Sequence, residues 1–252
     1  MHASILSGLL FATAIIASPV NQVSDVTDVS DVTKVADGDL LSKIDSTNLT
    51  TEEWESKLLA AGFLLETPEI DYDFLNFTPT AEPLAPSKRQ ACHSSSIVVD
   101  TVQQFVDWDV QMSPVVCASV PMTVSVAQGF SVSNTVSVSA GLDLTFVKDR
   151  LKSSLGINYS KSWTTAYTVT VTATVPVGQC GTLIWKPTTI RRYGSVYEGC
   201  PGSLRKTGTF MADEHPSAAF EGFSWIGGAR GFCSKPGDNP PLSRCQGSGY
   251  FI

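Results

Sequence analysis

FSVSNTVSVSAGLDLTF, residues 130–146, alternates apolar and hydroxyl side chains: of nine even positions only Asn134 is not apolar, and six of eight odd positions are Ser or Thr. Period-two alternation marks a strand with one dry and one wet face. Residues 155–175 repeat it in opposite phase, with Leu155, Ile157, Tyr159, Trp163, Tyr167, Val169, Val171, Ala173 and Val175 on odd positions, interrupted by Lys161 and Thr165. Residues facing each other across an antiparallel pair project to the same side, so even-apolar against odd-apolar requires partner numbers with odd sums. An even number of corner residues delivers that, and 147–154 has eight. The expectation is one amphipathic hairpin whose arms, at about 3.3 Å per residue, run about 55 and 70 Å.

Outward from the hairpin, β-rich runs bounded by turn residues predict strands over 96–110, 122–128, 165–175, 181–186 and 190–199. Within residues 90–252 only 146–154, FVKDRLKSS, leans towards helix. The fold expected is all-β: an elongated antiparallel sheet or sandwich carrying the long hairpin and closed by disulfides. All six cysteines, Cys92, Cys117, Cys180, Cys200, Cys233 and Cys245, lie beyond residue 90, as in an oxidising compartment. Six cysteines allow about fifteen pairings. Cys180 and Cys200 flank an apparent hairpin and are expected to pair, Cys233 and Cys245 close a short proline-rich loop, and Cys92 with Cys117 remains by elimination.

The N-terminal third is a different kind of chain. Residues 1–89 hold 14 acidic and 5 basic side chains, residues 90–252 hold 10 and 12. ILSGLLFATAII is too short to cross a bilayer and reads as a secretory signal, 1–18. An acidic pro-segment, 19–89, follows. Its valine-every-third-residue repeat over 23–35 matches neither helix nor strand and is expected to stay unfolded, whereas Thr50 and Glu53 at capping-box spacing, Trp54 and Leu58 on one face and Gly62 beyond predict one short helix. Lys88 and Arg89 form a dibasic pair between prolines and the first cysteine. Processing there would leave 90–252 as the mature domain.

The two Ser/Thr-rich arms and the VPVGQCGTLIWKP turn and strand that follow resemble the aerolysin-type β-pore-forming proteins, secreted toxins that oligomerise and insert a β-barrel. The resemblance implies a candidate membrane hairpin carried by Val136, Val138, Leu142, Leu144, Phe146, Leu155, Ile157, Tyr159, Trp163, Val169 and Val171. VDWDVQMSPV, LTFVKDRLKSSLGINYS and GQCGTLIWKPTTIRRYGSVYEGC also resemble effector-like proteins secreted by filamentous fungi, which implies secretion and a disulfide-bonded β-fold and brings no activity with it.

Two functional readings therefore stand. In one, a secreted, extracellular effector or toxin oligomerises with copies of itself and inserts the hairpin into a target membrane. Against it, Lys148, Asp149, Arg150 and Lys152 would have to cross hydrocarbon, and Lys161 stands on the lipid face, where a lysine costs about 2–4 kcal/mol. In the other, the protein is a soluble, non-catalytic binding effector that recognises a host surface receptor or a glycan. No nucleophile elbow or metal-ligand spacing occurs, so no catalytic or metal residue, cofactor or enzyme activity is expected. Asp107 and Asp109 suggest paired carboxylates, or two acids on the wet side of a strand. Asp213, Glu214 and His215 read as a solvated loop. Arg191, Arg192, Tyr193, Arg205 and Lys206 make a basic cluster suited to anionic lipid or glycan and too weak for nucleic acid. Trp108, Trp163, Trp185 and Trp225 either line a sugar site or fill the core. Asn158 opens an N-glycan acceptor, NYS.

Overall fold

The computed structural model describes residues 50–79, 94–127, 129–164, 171–220 and 223–252. The expected signal, the valine repeat, Lys88, Arg89, Cys92 and Val169 lie outside the described residues. Helix α1 (Thr51–Ala60) and the single turn α2 (Tyr72–Leu75) precede strands β1 (Ser94–Val106), β2 (Val110–Gln111), β3 (Val116–Ala118), β4 (Met122–Ser125), β5 (Ser131–Ser133) and β6 (Thr135–Val138). Helix α3 (Leu144–Leu155) leads to β7 (Ser162–Thr164), β8 (Thr172–Val175), β9 (Gln179–Cys200) and β10 (Ser203–Glu214). The chain closes with β11 (Ser217–Phe220), β12 (Phe223–Ile226), β13 (Gly228–Pro236), β14 (Leu242–Ser243) and β15 (Tyr250–Phe251). The architecture is the antiparallel, disulfide-bonded β-fold expected.

The longest strand is β9, 22 residues through a proline, where two separate strands were expected. Pro187 sits where the partners change: β13 pairs with residues 179–187 and β1 with 188–199. Proline has no N–H for a ladder and is tolerated only where none is needed; here its carbonyl accepts from Asp107 N at 2.8 Å, and Thr188 N turns to Gly227 O at 2.9 Å. The other edge of β9 takes β10, which in turn takes β6. Phe210 lies opposite Gly194, and a Cβ there would sit 2.2 Å from the ring.

The predicted hairpin forms only in part. Among the described residues the two arms pair only through β5 and β7, Ser131 opposite Thr164, with the odd sum the opposed phases require; β8 of the second arm pairs instead with β4, outside 130–146, Met122 opposite Val175. Residues 130–146 are nevertheless not one strand. The chain leaves the pair at Asn134, β6 joins β10 instead, and 144–155 is helical. Asp143 caps α3, accepting from Thr145 N at 2.7 Å and Phe146 N at 3.2 Å, and Gly156 ends it in the left-handed region. Val147 and Leu151, four apart, are buried, so a 3.6-residue period overrides the period of two that Leu142, Leu144 and Phe146 continue.

The candidate hairpin residues are accordingly spent on the protein's own cores. Val136, Val138, Leu142, Phe146, Leu155, Ile157 and Tyr159 pack with Ile97, Val147, Leu151, Val196, Phe210 and Ala212 on one face of the β9–β10 sheet. Trp163 and Val171 join a second core with Val124, Val175, Trp185 and Trp225. Leu144 is exposed. Lys161 lies over the Trp163 ring at 4.6 Å and donates to Ser217 Oγ at 2.6 Å. Among the described residues no helix is long and apolar enough to cross a membrane.

Two of the disulfide expectations are overturned. Cys180 pairs with Cys117 and not with Cys200, because β3 lies on β9 with Cys117 directly opposite Cys180. Cys117 is therefore not available to Cys92. Cys200 is also disulfide-bonded, and Cys233–Cys245 closes its loop as expected.

The helix predicted from the capping box is α1: Thr50 Oγ1 accepts from Glu53 N at 3.2 Å and Glu53 accepts from Thr50 N at 2.9 Å. Trp54 and Leu58 are buried against Phe63 and Val106. Beyond Gly62 the acidic segment lies along the sheet, with Leu64 bridged to Phe105 of β1.

Candidate functional site

A cleft of about 390 Å³ opens where β1 gives way to β2, lined by Asp107, Trp108, Asp109, Val110, Gln111, Phe130, Ser131, Val132, Pro187, His215 and Arg244. Five chain segments far apart in sequence meet there because Pro187 is the point at which β9 changes partners. The stretch 107–109 is a loop, not the strand face expected for Asp107 and Asp109.

The two carboxylates have different environments. Asp107 Oδ1 accepts from Trp108 N at 2.8 Å and Thr67 Oγ1 at 3.2 Å, and Oδ2 from Thr189 Oγ1 at 3.2 Å. Asp109 is wholly buried; Oδ2 accepts from Gln246 N at 2.7 Å, its backbone carbonyl accepts from Arg244 Nη1, and Oδ1 has no partner. Burial holds the Asp109 carboxyl above its ordinary range, only partly countered by the Gln246 amide and by Lys186 and Arg244. Arg244 Nε, on the same wall, likewise lacks a partner. Both unmatched atoms are buried behind the cleft wall and do not face its open space.

His215 is buried, not in a solvated loop. Thr189 gives its hydroxyl proton to Asp107, so its 2.9 Å contact with His215 Nδ1 is made by the ring N–H. Burial lowers the imidazole's pKa, against the pull of Asp107, Asp213 and Glu214. Its backbone N–H donates to Asn134 Oδ1 at 2.8 Å, and Asn134 Nδ2 donates to Asn158 O at 3.0 Å. Asn134, the one break in the apolar stripe, is therefore the buried polar tie between both arms and the turn after β10.

The expected basic cluster is dismantled. Arg191 makes a two-pronged bond to Asp213, both contacts 2.8 Å, and Arg192 bonds Glu214 Oε2 at 2.7 Å and Tyr159 Oη at 3.3 Å. Neither arginine is exposed. Strand register puts Arg191 opposite Asp213, so Asp213 and Glu214 neutralise the two arginines across β9 and β10. Of the four tryptophans considered for a sugar site, Trp163, Trp185 and Trp225 are buried in the core, and only Trp108, at 46% exposure, presents a ring to solvent. Trp108 rests on Gly247, where a Cβ would come within 2.4 Å of the indole and where φ is +96°; any other residue would push the ring away. Asn158 is exposed, with Oδ1 accepting from Ser160 N at 3.0 Å.

Sequence reasoning missed Arg244, Gly247 and Thr189 as parts of one site. A tryptophan between two aspartates at the end of a strand was the single local signal; nothing in the sequence links it to residues 81 or more positions away. No family model, no curated protein and no solved structure matches this chain, so the site's chemistry rests on its own residues.

Proposed function

We propose that the protein is a secreted, non-catalytic recognition effector that binds a glycan in the Trp108 cleft. One observation carries the reading: a half-exposed indole, held up by Gly247, on a cleft lined also by the polar side chains of Gln111 and Ser131. A sugar offers an apolar C–H face for an aromatic ring and hydroxyls that both donate and accept. Asp107 is engaged by three protein donors and Asp109 is sealed from solvent, an arrangement that favours binding over acid–base work. The test is a fluorescence titration with soluble fragments of chitin, β-glucan and mannan. Saturable quenching that Trp108→Ala abolishes supports the reading; no quenching by any of them, or quenching that survives the substitution, sinks it.

Hairpin insertion, the aerolysin-like alternative, keeps one supporting observation, the odd-sum pairing of β5 with β7. Dye-loaded liposomes decide it. Leakage that disappears when a cysteine pair locks α3 to β1 would favour a pore, and intact vesicles favour recognition alone.

A further inference from the structure

β9 is buried on both faces for most of its length. One face is covered by α3 and its cluster. On the second half of β9, where Arg191 and Tyr193 lie, the other face meets the acidic segment, and the contacts are specific. Leu64 N donates to Gln104 O and Val106 N to Leu64 O, both at 2.9 Å, a strand-like pairing with β1. Leu65 O accepts from Gln246 Nε2 at 2.9 Å, Thr67 Oγ1 donates to Val106 O at 3.2 Å, and Pro68 O accepts from Arg191 Nη1 at 3.0 Å. Asp71 N donates to Tyr193 Oη at 3.0 Å, the Phe74 ring meets Tyr193 edge-on at 5.4 Å, and Phe74 O accepts from Thr209 Oγ1 at 2.7 Å. Lys206 lies over both Phe74 and Phe77.

We infer that residues 50–79 are a docked peptide on a preformed recognition surface, and that scission of the chain between residues 79 and 94 leaves them bound as a second, non-covalently held chain. Backbone pairing supplies the affinity of an added strand and the anchors supply the register: Trp54, Leu58 and Phe63 are buried, and Phe74 is gripped by Tyr193 and Lys206. Charge agrees, since residues 50–79 carry seven acidic and one basic side chain against a body with a small basic excess, and Glu55 reaches Lys186 at 3.6 Å. No cysteine lies in the segment, so nothing covalent would hold it. The partner class this surface takes is an extended acidic peptide with aliphatic and aromatic anchors. The inference rests on the docking geometry and stands apart from the glycan reading.

The experiment uses the full chain with a site-specific protease sequence replacing residues 87–90. After complete cutting, the fragment is expected to co-elute with the body in size exclusion at micromolar concentration, and labelled peptide 50–79 to exchange into it. Tyr193→Phe with Lys206→Ala on the body should speed release at least tenfold while the uncut protein keeps its circular dichroism. Phe74→Ala on the peptide should weaken exchange by a similar factor. Elution of free fragment at micromolar concentration, whether the body stays folded or aggregates, overturns the inference, as does a release rate indifferent to both sets of substitutions.

Discussion

Replacing Asn134 by leucine separates the pattern in the sequence from the structure that forms. By alternation alone Asn134→Leu repairs the one defect in an apolar stripe, and burying the added methyl groups would stabilise by about 1 kcal/mol. In the structure it strips the His215 N–H and the Asn158 carbonyl of their partners at 2.8 and 3.0 Å. A buried group left unpaired costs about 1–3 kcal/mol; with the Asn158 carbonyl only partly enclosed, the two come to about 2–4, and the apolar gain leaves a net loss of about 1–3 kcal/mol. With a urea slope of about 2 kcal/mol/M, the unfolding midpoint should fall by about 0.5–1.5 M. The assay is urea unfolding of protein with disulfides intact, followed by tryptophan fluorescence and near-ultraviolet circular dichroism. An unchanged or raised midpoint would refute the buried tie.

Arg191→Met alone should cost about 3–5 kcal/mol, because Asp213 is left buried without its partner, whereas Arg191→Met with Asp213→Leu should recover most of it; additive losses in the double-mutant cycle would contradict this. Two buried groups set opposite pH dependences. The raised Asp109 carboxyl contributes stability that is full below about pH 3.9 and declines as pH rises towards its folded value, so Asp109→Asn should raise the urea midpoint more at pH 7 than at pH 4. His215, lowered, contributes stability present above about pH 6.5 and lost as pH falls through its folded value, and His215→Gln should flatten that loss, read as midpoints between pH 7 and 5. Non-reducing peptide mapping should recover the Cys117–Cys180 and Cys233–Cys245 pairs, and a Cys180–Cys200 peptide would show the register of β3 on β9 to be wrong. Removing Cys117–Cys180, which spans 63 residues, should cost about 4 kcal/mol, and removing Cys233–Cys245, which spans 12, about 3.

Local chemistry was legible. The capping box of Thr50 and Glu53 specifies α1, Gly62 ends it, Cys233 and Cys245 find each other across a short loop, and the opposed phases of the two stripes require the odd-sum register that β5–β7 shows. Each depends on residues a few positions apart or on the parity of a ladder, and neither needs the rest of the chain. What only tertiary structure decided is which edge each strand pairs with and which face is covered. Leu142, Leu144 and Phe146 continue the strand period, and burial of Val147 and Leu151 in the cluster on β10 selects the helix over it. Cys117 rather than Cys200 lies opposite Cys180 because β9 runs unbroken through Pro187 and changes partners there. Arg191 and His215 look like surface cations until Asp213 and Thr189 are brought to them from the neighbouring strands. Burial and charge pairing belong to sheet neighbours brought together from distant stretches of the chain, and that information does not exist until the sheet has closed.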